Sequence, residues 1–269
     1  MNPAQRWQPS GFLRLSAVLH VALALAWLAV PQMWPWWLGL LLADHAALTA
    51  AGLWPRSTWL GPNLLRLPSG AIARNEIAIT IDDGPDPAVT PAVLDLLDRY
   101  GAKASFFLIG ERARTHSALV REIVRRGHSV ENHSLRHSVF FSFYGVGRFR
   151  REIAAAQRAI ADSAGVAPQF FRSPAGLRNP LLDLALFGSG LRHVAWTRRG
   201  FDTVNGDAAK VLARLSRDLA AGDILLLHDA HAARSADGRP VILEVLPRLL
   251  EQARDAGLNP VSLPSAMRA

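Results

Sequence analysis

The sequence predicts an α/β protein in which a parallel β/α domain, with catalytic groups at the C-terminal ends of its strands, follows two apolar helices. Three observations carry this. Two long apolar stretches occupy the first 54 residues. From about Glu76 onward, short apolar strands alternate with helical patterns. One of those strands, Ile77-Ala78-Ile79-Thr80-Ile81, runs straight into the paired acids Asp82 and Asp83 and a Gly84-Pro85 break, the kind of ending that forms an active-site rim.

In chain order, Phe12 to Val30 is nearly all apolar, interrupted by Arg14, Ser16 and His20, and is long enough to cross a bilayer as a helix. A second stretch, Trp36 to Trp54, is apolar apart from Asp44, His45 and Thr49, with tryptophans at both ends where an interface would lie. The first stretch is too long for the apolar region of a signal peptide, and no small-residue cleavage site leads into polar sequence. A membrane hairpin over 1–54 is therefore expected. Arg6 and Arg14 lie before or at the start of the first helix and Arg56, Arg66 and Arg74 follow the second, while the Pro31–Pro35 turn is uncharged. This asymmetry places both ends, and the catalytic domain, on the cytoplasmic side of a multi-pass inner-membrane protein. His20, Asp44 and His45 are ionisable groups near mid-depth, expected to satisfy one another.

Residues 55–75, with Pro55, Pro62, Pro68 and Gly70, read as a linker on the membrane surface, and 76–269 as the catalytic domain. Within it, strands are expected at 77–81, 103–108, 128–132, 168–172, 192–196, 223–228 and 259–262. Helices are expected at 90–100, 115–126, 147–163, 179–188, 207–220 and 240–255. Val93, Leu94, Leu96, Leu97 and Tyr100 share one helical face, as do Leu119, Val120, Ile123 and Val124.

Composition narrows the function. Hydrophobic residues make up 50% of the chain, an excess that the two N-terminal stretches account for. The net charge of +8 is carried almost wholly by arginine, Lys103 and Lys210 being the sole lysines. That favours phosphates or an anionic membrane, but no basic run is interleaved with aromatics as a nucleic-acid groove requires. The absence of cysteine leaves histidine and carboxylate as the ligands for any metal.

The strand ends supply candidates. Glu131-Asn132-His133-Ser134-Leu135-Arg136-His137 places two histidines at i and i+4, which share a face and can hold one divalent ion if the segment turns helically. Asp82 or Asp83 can complete a two-His, one-Asp set, provided the Gly84-Pro85 turn bends the backbone so that both acids serve one site. Arg172 ends another strand, before a Ser173-Pro174-Ala175-Gly176 turn whose N–H groups suit an oxyanion. Trp196 is followed by Asp202, and the apolar run 224–227 ends in His228, a good place for a general acid. Each has a plain alternative: an acidic helix cap, a rim ion pair, a core histidine. Their recurrence at successive strand ends favours a site.

On these residues the chain resembles the polysaccharide deacetylases of carbohydrate esterase family 4, built on the nodulation-factor deacetylase homology domain. The likeness covers roughly 76–262, through Asp82-Asp83-Gly84-Pro85, His133-Ser134-Leu135-Arg136-His137, Arg172-Ser173-Pro174-Ala175-Gly176 and Leu226-Leu227-His228, in family order. The resemblance implies a distorted (β/α) barrel and metal-dependent removal of an acyl group, N-acetyl above all, from an amino sugar of a polysaccharide or lipid-linked glycan. It implies Asp83, His133 and His137 as metal ligands, Asp82 as base, His228 as acid, Arg172 holding Asp82, and Asp202 tuning His228. Ala175 would offer its backbone N–H to the oxyanion, and Trp196 is the nearest aromatic for the sugar side. Zinc suits a mixed nitrogen and oxygen set, as do other first-row divalent ions. Departures touch the sugar-facing wall: Ile81 stands where an aromatic is common, Ala175 where Tyr or Trp is frequent, and Asp202 precedes Thr203 rather than Trp. These departures, with the hairpin, favour a lipid-linked amino sugar, deacetylated or deformylated, over a polymer. The rival from another class is a catalytically silent carbohydrate-binding membrane protein on the same fold. Beyond His137, the run Val139-Phe140-Phe141-Ser142-Phe143-Tyr144 and Arg148, Arg150 and Arg151 suit a loop that meets a headgroup layer.

Overall fold

The computed structural model describes residues 6–268, so the outermost ends of the expected domains, 1–5 and 269, lie outside the described residues. Helices α1 (Gly11–Ala29) and α2 (Trp34–Leu53) form an antiparallel hairpin around a short turn at Pro31–Met33. At 1.5 Å rise per residue each spans roughly 30 Å. Leu15, Val18, Leu28, Trp36 and Leu42 point away from the protein.

After α3 (Ser69–Ala73), strand β1 (Glu76–Asp82) leads through α4 (Thr90–Arg99) to β2 (Ala104–Leu108). Helices α5 (Gly110–Thr115) and α6 (Ser117–Arg125) precede β3 (Ser129–Asn132), and α7 (Val146–Ala164) precedes β4 (Phe170–Phe171). Then follow α8 (Leu182–Leu186), β5 (Arg192–His193), β6 (Arg198–Arg199), α9 (Ala208–Ser216) and β7 (Ile224–His228). The chain closes with α10 (Ile242–Asp255), β8 (Asn259–Val261) and α11 (Leu263–Ala266). The eight strands pair in parallel, in the order β5-β4-β3-β2-β1-β7-β6 with β8 beside β1, a curled half-barrel of the expected kind. The helix expected over 115–126 is α6, which begins at Ser117 after His116 leaves the helical region at φ −115° and ψ 43°, and α5 before it is an addition. The strands expected at 168–172 and 192–196 shrink to two residues each, and β6 is an addition.

Side-chain parity explains what faces where, because successive strand residues point to opposite faces. On β1, Ile77, Ile79 and Ile81 join the core under the outer helices with Val93, Leu97, Val245 and Leu249. Ala78 packs on the other face with Phe107, Phe170 and Leu226. On β7, Leu225 and Leu227 go outward while Ile224 and Leu226 go inward. Asp82, Arg172 and His228 inherit the inward parity of Ala78, Phe170 and Leu226. Each fully buried aliphatic side chain contributes about 1.5–3 kcal/mol, so a register slip that exchanged the two faces would be prohibitive.

Part of the segment 55–75, expected as a linker on the membrane surface, packs against the catalytic domain. Leu60, Leu67 and Ala71 are buried, the Leu64 N–H donates to His193 O at 3.0 Å, and the Leu67 N–H to Gly222 O at 2.9 Å. Leu67 and Ala71 pack with Ala78, Phe107, Phe170 and Leu226 on the inner face of the sheet. Arg66 and Arg74 are engaged with Asp223 at 3.1 Å and Glu76 at 2.8 Å.

Candidate active site

The register of the sheet assembles the site. Asp82 on β1 lies level with His228 on β7, and Asn132 on β3 lies level with Phe171 on β4. The residues that follow Asn132 and Phe171, His133 and Arg172, therefore emerge at the same rim.

Asp82 and Arg172 form its buried floor. The Arg172 Nη1 donates to Asp82 Oδ1 at 2.6 Å and to Thr80 Oγ1 at 2.8 Å, and Nη2 donates to Ala195 O at 2.8 Å. The guanidinium lies 4.2 Å from the Phe107 ring centroid. With Arg172 at 1% and Asp82 at 2% exposure, the pair is locked, and removing one member of such a pair costs about 3–5 kcal/mol.

Asp83 should face the outer helices by parity, and it escapes by a backbone kink. Its φ of 75° is left-handed, which turns the chain back into the site and answers how adjacent acids serve one cleft. The histidines also meet differently from the helical turn that their spacing suggests. Residues 133–137 form a loop with Ser134 at φ 66° and His137 at φ 50°, and the two rings lie 4.9 Å apart. Asn132 supports this loop by accepting from the Ser134 N–H at 3.0 Å.

Asp83, His133 and His137 offer ligand atoms that lie within 4.8 Å of one another. The His133 Nδ1 sits 2.8 Å from Arg172 O, and since a carbonyl only accepts, the proton is on Nδ1 and Nε2 carries the lone pair. The Nε2 atoms of His133 and His137 are each 3.3 Å from Asp83 Oδ1, which is buried and makes no hydrogen bond. Electron-rich atoms converging without a shared proton fit a divalent cation. Burial would raise the Asp83 carboxyl, but the His133 and His231 rings beside it hold it far below the usual range. Burial pushes His137 down to about 4. Both states are the ones a ligand needs.

On the facing wall, Asp202, itself fully buried, accepts from the His228 backbone N–H at 2.7 Å and lies 2.9 Å from His228 Nδ1. Burial works to lower the His228 imidazole, but the hydrogen bond and charge of Asp202, with the charges of Asp82 and Asp83, raise it above 6.5. Ala175 and Trp196 line the same cleft of about 240 Å³. Ala175 is left-handed at φ 55°, and Gly176 follows at φ 74°, where a Cβ would come within 2.5 Å of Trp196 and 2.7 Å of Pro55. All nine candidate residues thus meet at one cleft.

Three participants escaped the sequence reading. His231 donates through Nδ1 to Asp83 Oδ2 at 3.1 Å, while its Nε2 accepts from Arg112 at 3.1 Å; a third histidine just past His228 was the available signal. Asp229 is buried, accepts from Thr90 Oγ1 and from the Ala230 N–H at 2.7 Å, and fits against Gly84, where a Cβ would be 2.6 Å from its Oδ2. Arg199 lines the cleft with its guanidinium 5.4 Å from the Trp196 ring centroid and 4.9 Å from that of Phe201. Among the described residues its Nε is buried without a partner.

A parallel β/α half-barrel whose rim gathers an Asp–His–His cluster between a pinned carboxylate and a carboxylate-bound histidine has the parts of a metal-dependent hydrolase. Comparison with known proteins agrees. A family model described as polysaccharide deacetylase matches residues 63–193. A peptidoglycan-N-acetylglucosamine deacetylase of Bacillus cereus is 32% identical over 197 residues, covering 72% of this chain and 87% of the relative. A chitooligosaccharide deacetylase of Sinorhizobium fredii is 30% identical over 207 residues, covering 75% and 96%. Among solved structures, a family 4 carbohydrate esterase from Streptomyces lividans in complex with acetate superposes with a TM-score of 0.62 at 31% identity, covering 69% of this chain and 91% of that one. The chain belongs to the polysaccharide deacetylase family. It is a carbohydrate N-deacetylase, a metal-dependent hydrolase of N-acyl amino sugars.

Proposed function

We propose that the protein removes an N-acetyl group from an amino sugar carried on a lipid at the membrane surface, with Asp83, His133 and His137 holding one divalent ion, zinc by their chemistry. The observation that carries the chemical part is the pair of flanking groups, each with its own partner: Asp82 on Arg172 and His228 on Asp202. When bound, the ion supplies Lewis acidity, lowering the pKa of water and polarising the acyl carbonyl. Asp82, its Oδ1 held by Arg172, takes the proton of the attacking water through its other oxygen. The Ala175 backbone N–H meets the oxyanion, and Trp196 forms the sugar-side wall. His228, proton-bearing because Asp202 raises its pKa, protonates the departing amine, which leaves poorly otherwise.

The lipid-linked substrate is favoured by where the hairpin sits. The Arg178 N–H, three residues beyond Ala175, donates to Gly52 O at the end of α2 at 3.2 Å, and Arg178 Nη2 donates to Ser57 O. On the loop beyond His137, Val139, Phe140 and Phe143 are 84%, 65% and 80% exposed. Phe141 and Tyr144 are instead core residues packed on Phe149, which corrects the reading of the whole run as a membrane-facing loop. Arg199, whose buried Nε has no hydrogen-bond partner among the described residues, suits an anionic group next to the sugar, as a polyprenyl phosphate carries. By the arginine asymmetry this surface is the cytoplasmic leaflet of the inner membrane. Reporter fusions at residue 75 and at the C-terminus should behave as cytoplasmic, and an exported signal at either overturns that orientation.

The deciding assay is acetate and formate release from N-acyl glucosamine oligomers, peptidoglycan fragments and a polyprenyl-phosphate-linked N-acetyl sugar in mixed micelles, with chelator and zinc restoration. Chelator-sensitive acetate release, fastest on the lipid-linked sugar, is the expected result. Formate release in its place would identify a deformylase, faster turnover of polymer would overturn the lipid-linked reading, and no release from any substrate would favour a silent binding protein.

A further inference from the structure

We infer that the hairpin carries a second divalent-metal site, formed by His20, Asp44 and His45 and independent of the catalytic cleft. One ligand-capable atom from each of the three side chains lies within 4.8 Å of the other two, the same mutual limit met by the barrel cluster. His20 comes from α1, and Asp44 and His45 from α2, so one ion would tie the two helices together.

The hydrogen bonds around the cluster favour a cation over a simple polar latch. His20 Nδ1 lies 2.8 Å from Ser16 O, and His45 Nδ1 lies 3.0 Å from Leu41 O. A carbonyl can only accept, so both Nδ1 atoms bear protons and Nε2 is the nitrogen of each ring left to meet an ion. His133 in the barrel is fixed by the same arrangement, a backbone carbonyl on the nitrogen away from the ion. Asp44 is oriented too: its Oδ2 accepts from Ser16 Oγ at 2.7 Å. That hydroxyl is its sole hydrogen-bond donor among the described residues, since His20 Nδ1 is 3.7 Å away and no arginine or lysine pairs with it.

A carboxylate with 8% side-chain exposure on an apolar hairpin, paired with no arginine or lysine among the described residues, is left short of positive charge. A divalent ion supplies it, and two imidazoles with one carboxylate form a borderline set suited to zinc, leaving coordination positions for water. The His20 and His45 rings, 5.1 Å apart, are partly exposed, which leaves a path of entry. Neither residue touches the catalytic cleft, so this inference stands apart from the proposed substrate.

The test is zinc stoichiometry on the full-length protein in detergent, stripped with chelator, reloaded with zinc alone and desalted. Wild type should retain about two equivalents, an Asp83→Ala/His133→Ala/His137→Ala variant about one, and a His20→Gln/His45→Gln variant about one. Cobalt substituted into the barrel-deficient variant should give d–d absorption of a nitrogen and oxygen set, lost when His20 and His45 are also replaced. The hairpin variant reports its own folding, because its barrel equivalent and its chelator-sensitive hydrolysis of a soluble amino sugar persist. One equivalent in wild type, or an unchanged two equivalents in His20→Gln/His45→Gln, would overturn the inference.

Discussion

Replacing Asp82 with Asn separates the two neighbouring acids more sharply than any other single change. The substitution keeps the size of the side chain and a carbonyl oxygen able to accept from Arg172 Nη1, now at 2.6 Å from Asp82 Oδ1, but deletes the negative charge and the basic oxygen. Loss of a positioned general base costs about 10²–10⁴ in turnover. At 1.36 kcal/mol per tenfold this is about 3–5 kcal/mol of barrier. Stability should fall as well, because Arg172, almost wholly buried, keeps its charge and loses the opposite one. Thr80 Oγ1 and the carbonyls of Val194 and Ala195 still accept from the guanidinium. The cost is therefore that of weakening one charge-assisted hydrogen bond, about 1.5–3 kcal/mol, rather than that of stranding the ion. The ligand cluster is not altered, so barrel metal content should stay at the wild-type level. Acetate release, metal content and urea unfolding of the same preparation measure the three effects. Near-normal turnover, or loss of the barrel metal with turnover, would refute the assignment of Asp82 as base and Asp83 as ligand.

Asp83→Ala and His137→Ala should each abolish both barrel metal binding and hydrolysis, measured by metal analysis after desalting and by acetate release; retained metal in either variant would remove that residue from the ligand set. Asp202→Asn should move the alkaline limb of the turnover profile to lower pH. His228 is held above 6.5 by Asp202, an acid must be protonated to act, and lowering its pKa empties the active form sooner as pH rises. An unmoved limb would show that another group titrates there. Val139→Ser/Phe140→Ser/Phe143→Ser should depress hydrolysis of a micelle-borne lipid-linked sugar much more than of a short soluble amino sugar, since all three are exposed and none supports the core. Equal losses on both would mean a folding defect and end the membrane-docking reading, whereas Phe141→Ser is expected to lower stability on any substrate.

Local sequence was sufficient to show the alternation of strands and helices and the chemistry at the strand ends. Apolar periodicity reports burial directly, and residue types at a strand terminus report what a rim can do. It grouped Asp82, Asp83, His133, His137, Arg172, Asp202 and His228 at strand ends, and set the first 54 residues apart by their two long apolar stretches. Tertiary structure decided how they meet. Parity alone sends Asp83 to the outer face, and it was a left-handed backbone at Asp83, Ser134 and His137, not a helical turn, that brought the ligand atoms to one point. Such conformations depend on what packs around them, which no single position reveals. His231 and Asp229 act through contacts with Arg112 and Thr90, more than a hundred residues earlier in the chain. Residues 55–75 read as a linker on the membrane surface because local propensity cannot register the buried partners that Leu67 and Ala71 find on the sheet. Their environment, like that of the left-handed residues, exists once the sheet has curled and not before.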